Sequence, residues 1–108
     1  MANQLLNFIG GKWTRSSASD YLDVKNPATA RVMTTVPLSP GAEVDAVVES
    51  ALQAFQEWRR TPAGERIQPM FKLKALLETH REELGRIITN ECGKTITESV
   101  AEIQRAIE

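Results

Sequence analysis

The chain holds one cysteine and one histidine in 108 residues. A single thiol forms no internal disulfide, and it excludes a cysteine-rich zinc site. A single imidazole excludes a histidine-cluster metal centre. No apolar run exceeds a few residues, so no segment has the length that a bilayer span needs. The opening Met1-Ala2-Asn3-Gln4-Leu5-Leu6-Asn7 carries no basic residue ahead of its apolar stretch, so no signal peptide is expected. Charge of one sign is lacking too. Thirteen Lys and Arg stand against fourteen Asp and Glu, a net charge of −1. A nucleic-acid binder needs a basic stripe that this balance does not supply. The expectation is a soluble cytoplasmic protein with no nucleic-acid and no membrane partner.

What is present is ordinary for a folded domain. Hydrophobic residues make up 42% and charged residues 25% of the chain, far from the composition of a disordered polymer. The length is that of one small domain. A chain of this size buries roughly 65% of its unfolded surface, a modest core.

Residues from about 5 to 38 read as short strands. Phe8-Ile9-Gly10-Gly11-Lys12-Trp13 has the form strand, turn, strand, because paired glycines accept the positive φ of a tight hairpin. Tyr21–Lys25 alternates polar and apolar residues with a period of two. Asn26-Pro27-Ala28-Thr29 is a turn: proline fixes φ and asparagine bonds its own backbone. The β-branched run 31–37 is a further strand.

The rest reads as helix, over about 40–60, 62–92 and 95–108. Ser39 and Pro40 suit an N-cap and a first helical position. Val44, Val47, Val48, Ala51, Phe55 and Trp58 then fall on one stripe. Thr61-Pro62 repeats the start signal, and Pro69 kinks or delays the second helix. Gly93 stops it. Thr95 and Glu98 have capping-box spacing, and Ile96, Val100, Ile103 and Ile107 form an amphipathic stripe. That stripe reaches Glu108 without a stop signal, which predicts a natural chain that continues.

Few residues offer chemistry. Cys92 has Lys94 near it but no His or Asn partner, so it reads as a small helix-end residue. His80, between Leu77 and Leu84, reads as a packing residue at the stripe edge. Glu82 and Glu83, flanked by Arg81 and Arg86, read as a solvated face with ion pairs four residues apart. Gly10-Gly11 lacks the rest of a phosphate loop, and Gly93-Lys94-Thr95 has Ile88 where the loop's upstream glycine belongs. Arg105 borders the last apolar stripe. It either forks onto an anion or pairs with Glu98, Glu102 or Glu108. The residues alone give a mostly helical chain with an N-terminal hairpin and no complete active site.

The order of motifs resembles the N-terminus of the aldehyde dehydrogenase superfamily. Phe8-Ile-Gly-Gly-Lys-Trp13 is similar to that family's opening hairpin, and Asn26-Pro-Ala-Thr29 to its Asn-Pro-x-Thr turn. Asp45-Ala-Val, Ala54-Phe55, Trp58, Arg66, Arg81-Glu-Glu-Leu84, Ile87-Ile-Thr89 and Glu91-x-Gly-Lys-Thr95 follow in order. Glu102-Ile-Gln-Arg-Ala106, with Asn26-Pro-Ala-Thr29 and Gly93-Lys-Thr95, most resembles methylmalonate-semialdehyde dehydrogenases. Non-phosphorylating glyceraldehyde-3-phosphate dehydrogenases carry a similar arginine.

The resemblance implies an α/β parent with a doubly wound nucleotide-binding domain. On that resemblance this chain is expected to be the N-terminal part of that domain, with the rest of it and the catalytic domain absent. It implies NAD or NADP as cofactor of the parent, an aldehyde or semialdehyde substrate, a homo-oligomer and, in the acylating group, coenzyme A. A thiolate attacks the aldehyde, hydride passes to the nicotinamide, and the thioester goes to water or coenzyme A. The family's nucleophile, general base, oxyanion asparagine and cofactor residues lie downstream. Cys92 occupies the variable place in Glu-x-Gly-Lys. The one site residue carried over is Arg105, on the anionic end of the substrate. The fragment itself is therefore expected to be inactive and to hold no cofactor. The alternative expectation is a non-enzymatic helical interaction module.

Overall fold

A computed structural model describes residues 3–108. The chain divides into two units. One comprises the residues up to Lys25 with Val32–Thr61, the other Asn26–Arg31 with Pro62–Glu108.

In the first unit β1 spans Asn3–Gln4, β2 Asn7–Ile9, β3 Lys12–Thr14, β4 Tyr21–Lys25 and β5 Val32–Pro37; α1 spans Gly41–Trp58. β2 and β3 form the expected antiparallel hairpin. Gly10 and Gly11 close it at φ +56° and +78°, the two positive values of a type I′ turn, whose twist matches that of the strands. The register sets Phe8 opposite Trp13, with ring centroids 4.9 Å apart. The other sheet has the order β1-β5-β4. β4 is antiparallel to β5 and bulges between Val24 and Lys25. β1 runs parallel to β5, with Asn3 opposite Thr34. Strand pairing thus begins ahead of the expected residue 5, on a segment of two residues, too short to show any alternation.

α1 begins after Pro40, one residue beyond the expected Ser39 cap. The Ser39 hydroxyl is engaged elsewhere. It accepts from Asn7 Nδ2 at 2.9 Å and lies 3.2 Å from Ser16 Oγ. The predicted stripe forms, but Val44, Val47, Val48, Phe55 and Trp58 remain between 40% and 53% exposed.

In the second unit the single helix expected over 62–92 is instead three: α2 (Ala63–Arg66), α3 (Gln68–Thr79) and α4 (Arg81–Cys92). The first break follows from Pro69, which has no N–H to give to Glu65. Around it Met70 N–H bonds back only three residues, to Ile67 O at 3.0 Å. The second break, at His80, has no proline or glycine. His80 leaves helical geometry at φ −99°, ψ 13°, and its Nδ1 lies 2.9 Å from Glu83 Oε2. The pair occupies the N-cap and N3 positions of α4, but the contact joins two side chains and caps no backbone N–H of the helix.

Gly93 ends α4 as predicted, at φ +74°. α5 (Ile96–Ile107) starts with both hydrogen bonds of the Thr95–Glu98 capping box. α4 and α5 approach closely because Gly85 faces Val100. A Cβ on Gly85 would stand 2.7 Å from Val100 Cγ2. Ser99 is fully buried beside this crossing, with its hydroxyl 2.9 Å from Thr89 Oγ1. The Asn26–Arg31 turn belongs to the same unit. Asn26 Oδ1 accepts the Ala28 N–H at 2.9 Å, and Pro27 Cγ lies 3.1 Å from where a Cβ on Gly93 would be.

Among the described residues no aliphatic or aromatic side chain is fully buried, and the accessible area is 8454 Å². A compact 12.0 kDa protein exposes about 6,000 Å², and two globules of half that mass about 7,200 Å². The apolar faces are laid out but left uncovered.

Candidate functional site

Arg105 lies in the last turn of α5 and is exposed. At 100° per residue the stripe of Ile96, Val100, Ile103 and Ile107 lies on one side of α5 and Arg105 on the other, so Arg105 stands on the polar face rather than at the stripe border the sequence suggested. The sequence offers three carboxylates as partners, and each is engaged by another group. Glu98 Oε2 accepts from Thr95 N–H at 3.2 Å and from Thr95 Oγ1 at 2.9 Å. Glu102 pairs with Lys94 Nζ. Glu108 Oε1 accepts from Gln104 Nε2 at 3.1 Å. Among the described residues Arg105 makes no ion pair, so its planar fork of donors is open to an anion from solvent.

The charges around Arg105 are coupled. The hydrogen bond and then the charge of Lys94 hold the Glu102 carboxyl below the usual carboxylate range, and Arg105 adds a smaller pull in the same direction. Glu102 in turn raises Lys94, chiefly through the same hydrogen bond, while Arg105 opposes that rise. Lys94, Glu102 and Arg105 therefore share one patch with an excess of positive charge. A further guanidinium reaches α5 from α4: Arg81 Nη1 donates to Gln104 Oε1 at 3.3 Å. Sequence reasoning missed Lys94 and Arg81 as neighbours of this patch. The eight-residue step from Lys94 to Glu102 crosses a helix start, where no fixed periodicity applies.

The remaining candidates fall away from one another. Cys92 is exposed at the end of α4, and His80 precedes that helix, so about 18 Å of helix separates imidazole from thiol. His80 is about half exposed and bound to Glu83; it does not pack at the stripe edge as expected. Nor do Glu82 and Glu83 pair with Arg81 or Arg86 among the described residues, since Glu83 takes His80 instead. The first unit holds a polar cluster that the sequence did not reveal. The Glu43 carboxylate, in the first turn of α1, accepts from Ser16 Oγ at 2.6 Å, Ser17 N–H at 2.5 Å and Ser17 Oγ at 2.7 Å. These donors pull its pKa down to about 2.

The concavities are open and apolar. A groove of about 320 Å³ between α3 and α5 is lined by Met70, Phe71, Leu73, Leu77 and Ile107 among others, and one of similar volume lies beside Phe8, Val44 and Val47. The glycines have other work: Gly10 and Gly11 turn the hairpin, and Gly93 ends α4. Among the described residues no strand runs through a glycine-rich loop into a helix N-terminus, the cradle that a dinucleotide pyrophosphate requires.

The described residues form a glycine-turned hairpin, a small mixed sheet and a train of helices with uncovered apolar faces. Residues 13–108 match the model of the aldehyde dehydrogenase family, and the chain belongs to that family. Malonate-semialdehyde dehydrogenase 1 of Shouchella clausii (strain KSM-K16) is 47% identical over 102 residues, which is 94% of this chain and 21% of that protein. Malonate-semialdehyde dehydrogenase 2 of Geobacillus thermodenitrificans (strain NG80-2) is 44% identical over 104 residues, 96% of this chain and 22% of that one. A chain from Sinorhizobium meliloti 1021, assigned as a methylmalonate-semialdehyde dehydrogenase and solved with NAD, superposes with a TM-score of 0.92 at 34% identity, over 99% of this chain and 22% of its own. This chain spans about a fifth of the length of the curated relatives it matches.

Proposed function

We propose that this chain is the opening segment of an NAD(P)-dependent dehydrogenase that oxidises a short semialdehyde bearing a carboxylate, and that Arg105 holds the carboxylate. The open guanidinium of Arg105 carries this reading. It is an exposed arginine on the polar face of α5, with Glu98, Glu102 and Glu108 each engaged elsewhere. A carboxylate anion supplies the bidentate partner that this fork lacks. The malonate-semialdehyde relatives support the substrate class.

In this reading the segment contributes scaffold and one substrate contact. The nucleophilic thiol, the general base and the cofactor cradle belong to the remainder of a longer polypeptide. NAD(P) supplies the hydride acceptor there, and the glycines described above do not fit that role. We place the enzyme in the cytoplasm as a homo-oligomer, with water or coenzyme A receiving the acyl group.

The test is Arg105→Met in the full polypeptide, with malonate semialdehyde compared with propanal, its uncharged counterpart. A charged hydrogen-bonded contact is worth about 1.5–3 kcal/mol. The expected result is therefore a loss of about 10- to 100-fold in kcat/KM for the semialdehyde with propanal nearly unchanged. Equal effects on both substrates would refute the role.

A second reading, a helical interaction module without catalysis, has its own support in the half-exposed stripe of α1. Light scattering on the purified chain separates the two, since a monomer at high concentration removes the second.

A further inference from the structure

Resting on the reading of Arg105 above, we infer that Lys94 is a positioning residue for the anion site: it holds the Glu102 carboxylate away from the Arg105 guanidinium. Glu102 and Arg105 stand three residues apart on α5, a spacing at which opposite charges on a helix meet. Left free, Glu102 is the nearest partner for Arg105 along its own helix, and an internal ion pair there would fill the fork that an external carboxylate must enter. The structure shows the competing pair instead. Lys94 precedes the N-cap of α5 and reaches along the first turns to Glu102.

The other two carboxylates within reach are disposed of in the same way, Glu98 by the capping box and Glu108 by Gln104. The partner of Lys94 stands one helical turn before Arg105, within α5, where Glu108 stands one turn after it and beyond the helix. Lys94 also differs in charge. Pairing with Glu102 neutralises one negative charge and leaves the patch with the net positive charge of Arg105. Both members of the pair are close to half exposed, so its direct contribution to stability is small. Its consequence is which carboxylate Arg105 meets.

The experiment uses the full polypeptide, with malonate dianion as an unreactive probe followed by calorimetry, and the two aldehydes as substrates. Lys94→Met should weaken malonate binding and raise KM for malonate semialdehyde by about 5- to 10-fold. It should leave kcat and the propanal reaction nearly unchanged. Lys94→Met combined with Glu102→Gln should restore both values, because the released carboxylate is gone. Arg105→Met separates the two levels of the argument. If Arg105→Met leaves malonate binding intact, the anion-site reading fails. If Arg105→Met abolishes binding while Lys94→Met does not weaken it, or the double variant does not restore it, the positioning role of Lys94 fails alone.

Discussion

At the scale of single residues, Glu43 is the most perturbed group. Three donors from the Ser16–Ser17 loop converge on its carboxylate and hold its pKa at about 2, against an ordinary value of 4.5. A lowered folded pKa has a definite consequence. The clamp is fully formed above about pH 4.5 and weakens as pH falls toward 2, where Glu43 takes up a proton. The Ser17 amide resonance should therefore titrate with a midpoint near 2, and Glu43→Gln should abolish that titration. A midpoint at the ordinary carboxyl value would mean that the clamp does not form in solution. This cluster was not legible in the sequence. Ser16, Ser17 and Glu43 are remote in the chain, and each alone reads as a loop or helix-surface residue. Arg105 was legible as a choice between an anion and a neighbouring glutamate. Only three-dimensional contacts show that all three glutamates are taken.

At the scale of elements, the closest approach is between α4 and α5. Alanine is favoured over glycine inside a helix by about 1 kcal/mol, so Gly85→Ala would stabilise α4 in isolation. In the fold its Cβ meets Val100 Cγ2 at 2.7 Å. Valine has one strongly preferred rotamer in a helix and cannot swing aside. The overpacking cost of about 1–3 kcal/mol exceeds the propensity gain. Gly85→Ala should lower the urea midpoint of this unit, and adding Val100→Ala should recover part of the loss. If Gly85→Ala stabilises instead, the crossing is looser than described.

The same elements show what the sequence carries. The hairpin, the Gly93 stop and the Thr95 capping box were all readable, because each depends on local chemistry at fixed spacing. The break at His80 was not, since the segment has neither a proline or glycine nor a Ser, Thr, Asp or Asn cap to mark it. β1 was not either, because a strand of two residues exists only through its pairing with β5.

At the scale of the whole molecule, the amphipathic faces are correct in pattern and lack a covering layer. Phe8, Trp13, Phe55, Trp58 and Phe71 are each about half exposed or more. Surface of this kind is sticky to hydrophobic dyes and gives little heat-capacity change on unfolding. The isolated chain should bind 1-anilinonaphthalene-8-sulfonate strongly and melt over a broad temperature range in calorimetry. A sharp, cooperative transition without dye binding would show that the faces find cover within this chain or in a second copy of it. The pattern that made the family recognisable is thus a pattern of surfaces prepared for contact. That explains why a sequence matching over nearly all its length contributes so little burial of its own.

The contact between Pro27 and Gly93 bears on the order of assembly during synthesis. The hairpin and the Asn26 turn can form as soon as they leave the ribosome, since their backbone hydrogen bonds are local. The platform that Pro27 offers has nothing to receive until α4 has been made and its last residue has turned. Closure of so long a loop costs chain entropy before any contact repays it. The Asn-Pro turn is therefore an early-formed piece with a late-arriving partner, and a substitution at Gly93 should slow the final docking step while leaving the first strands to form at their usual rate.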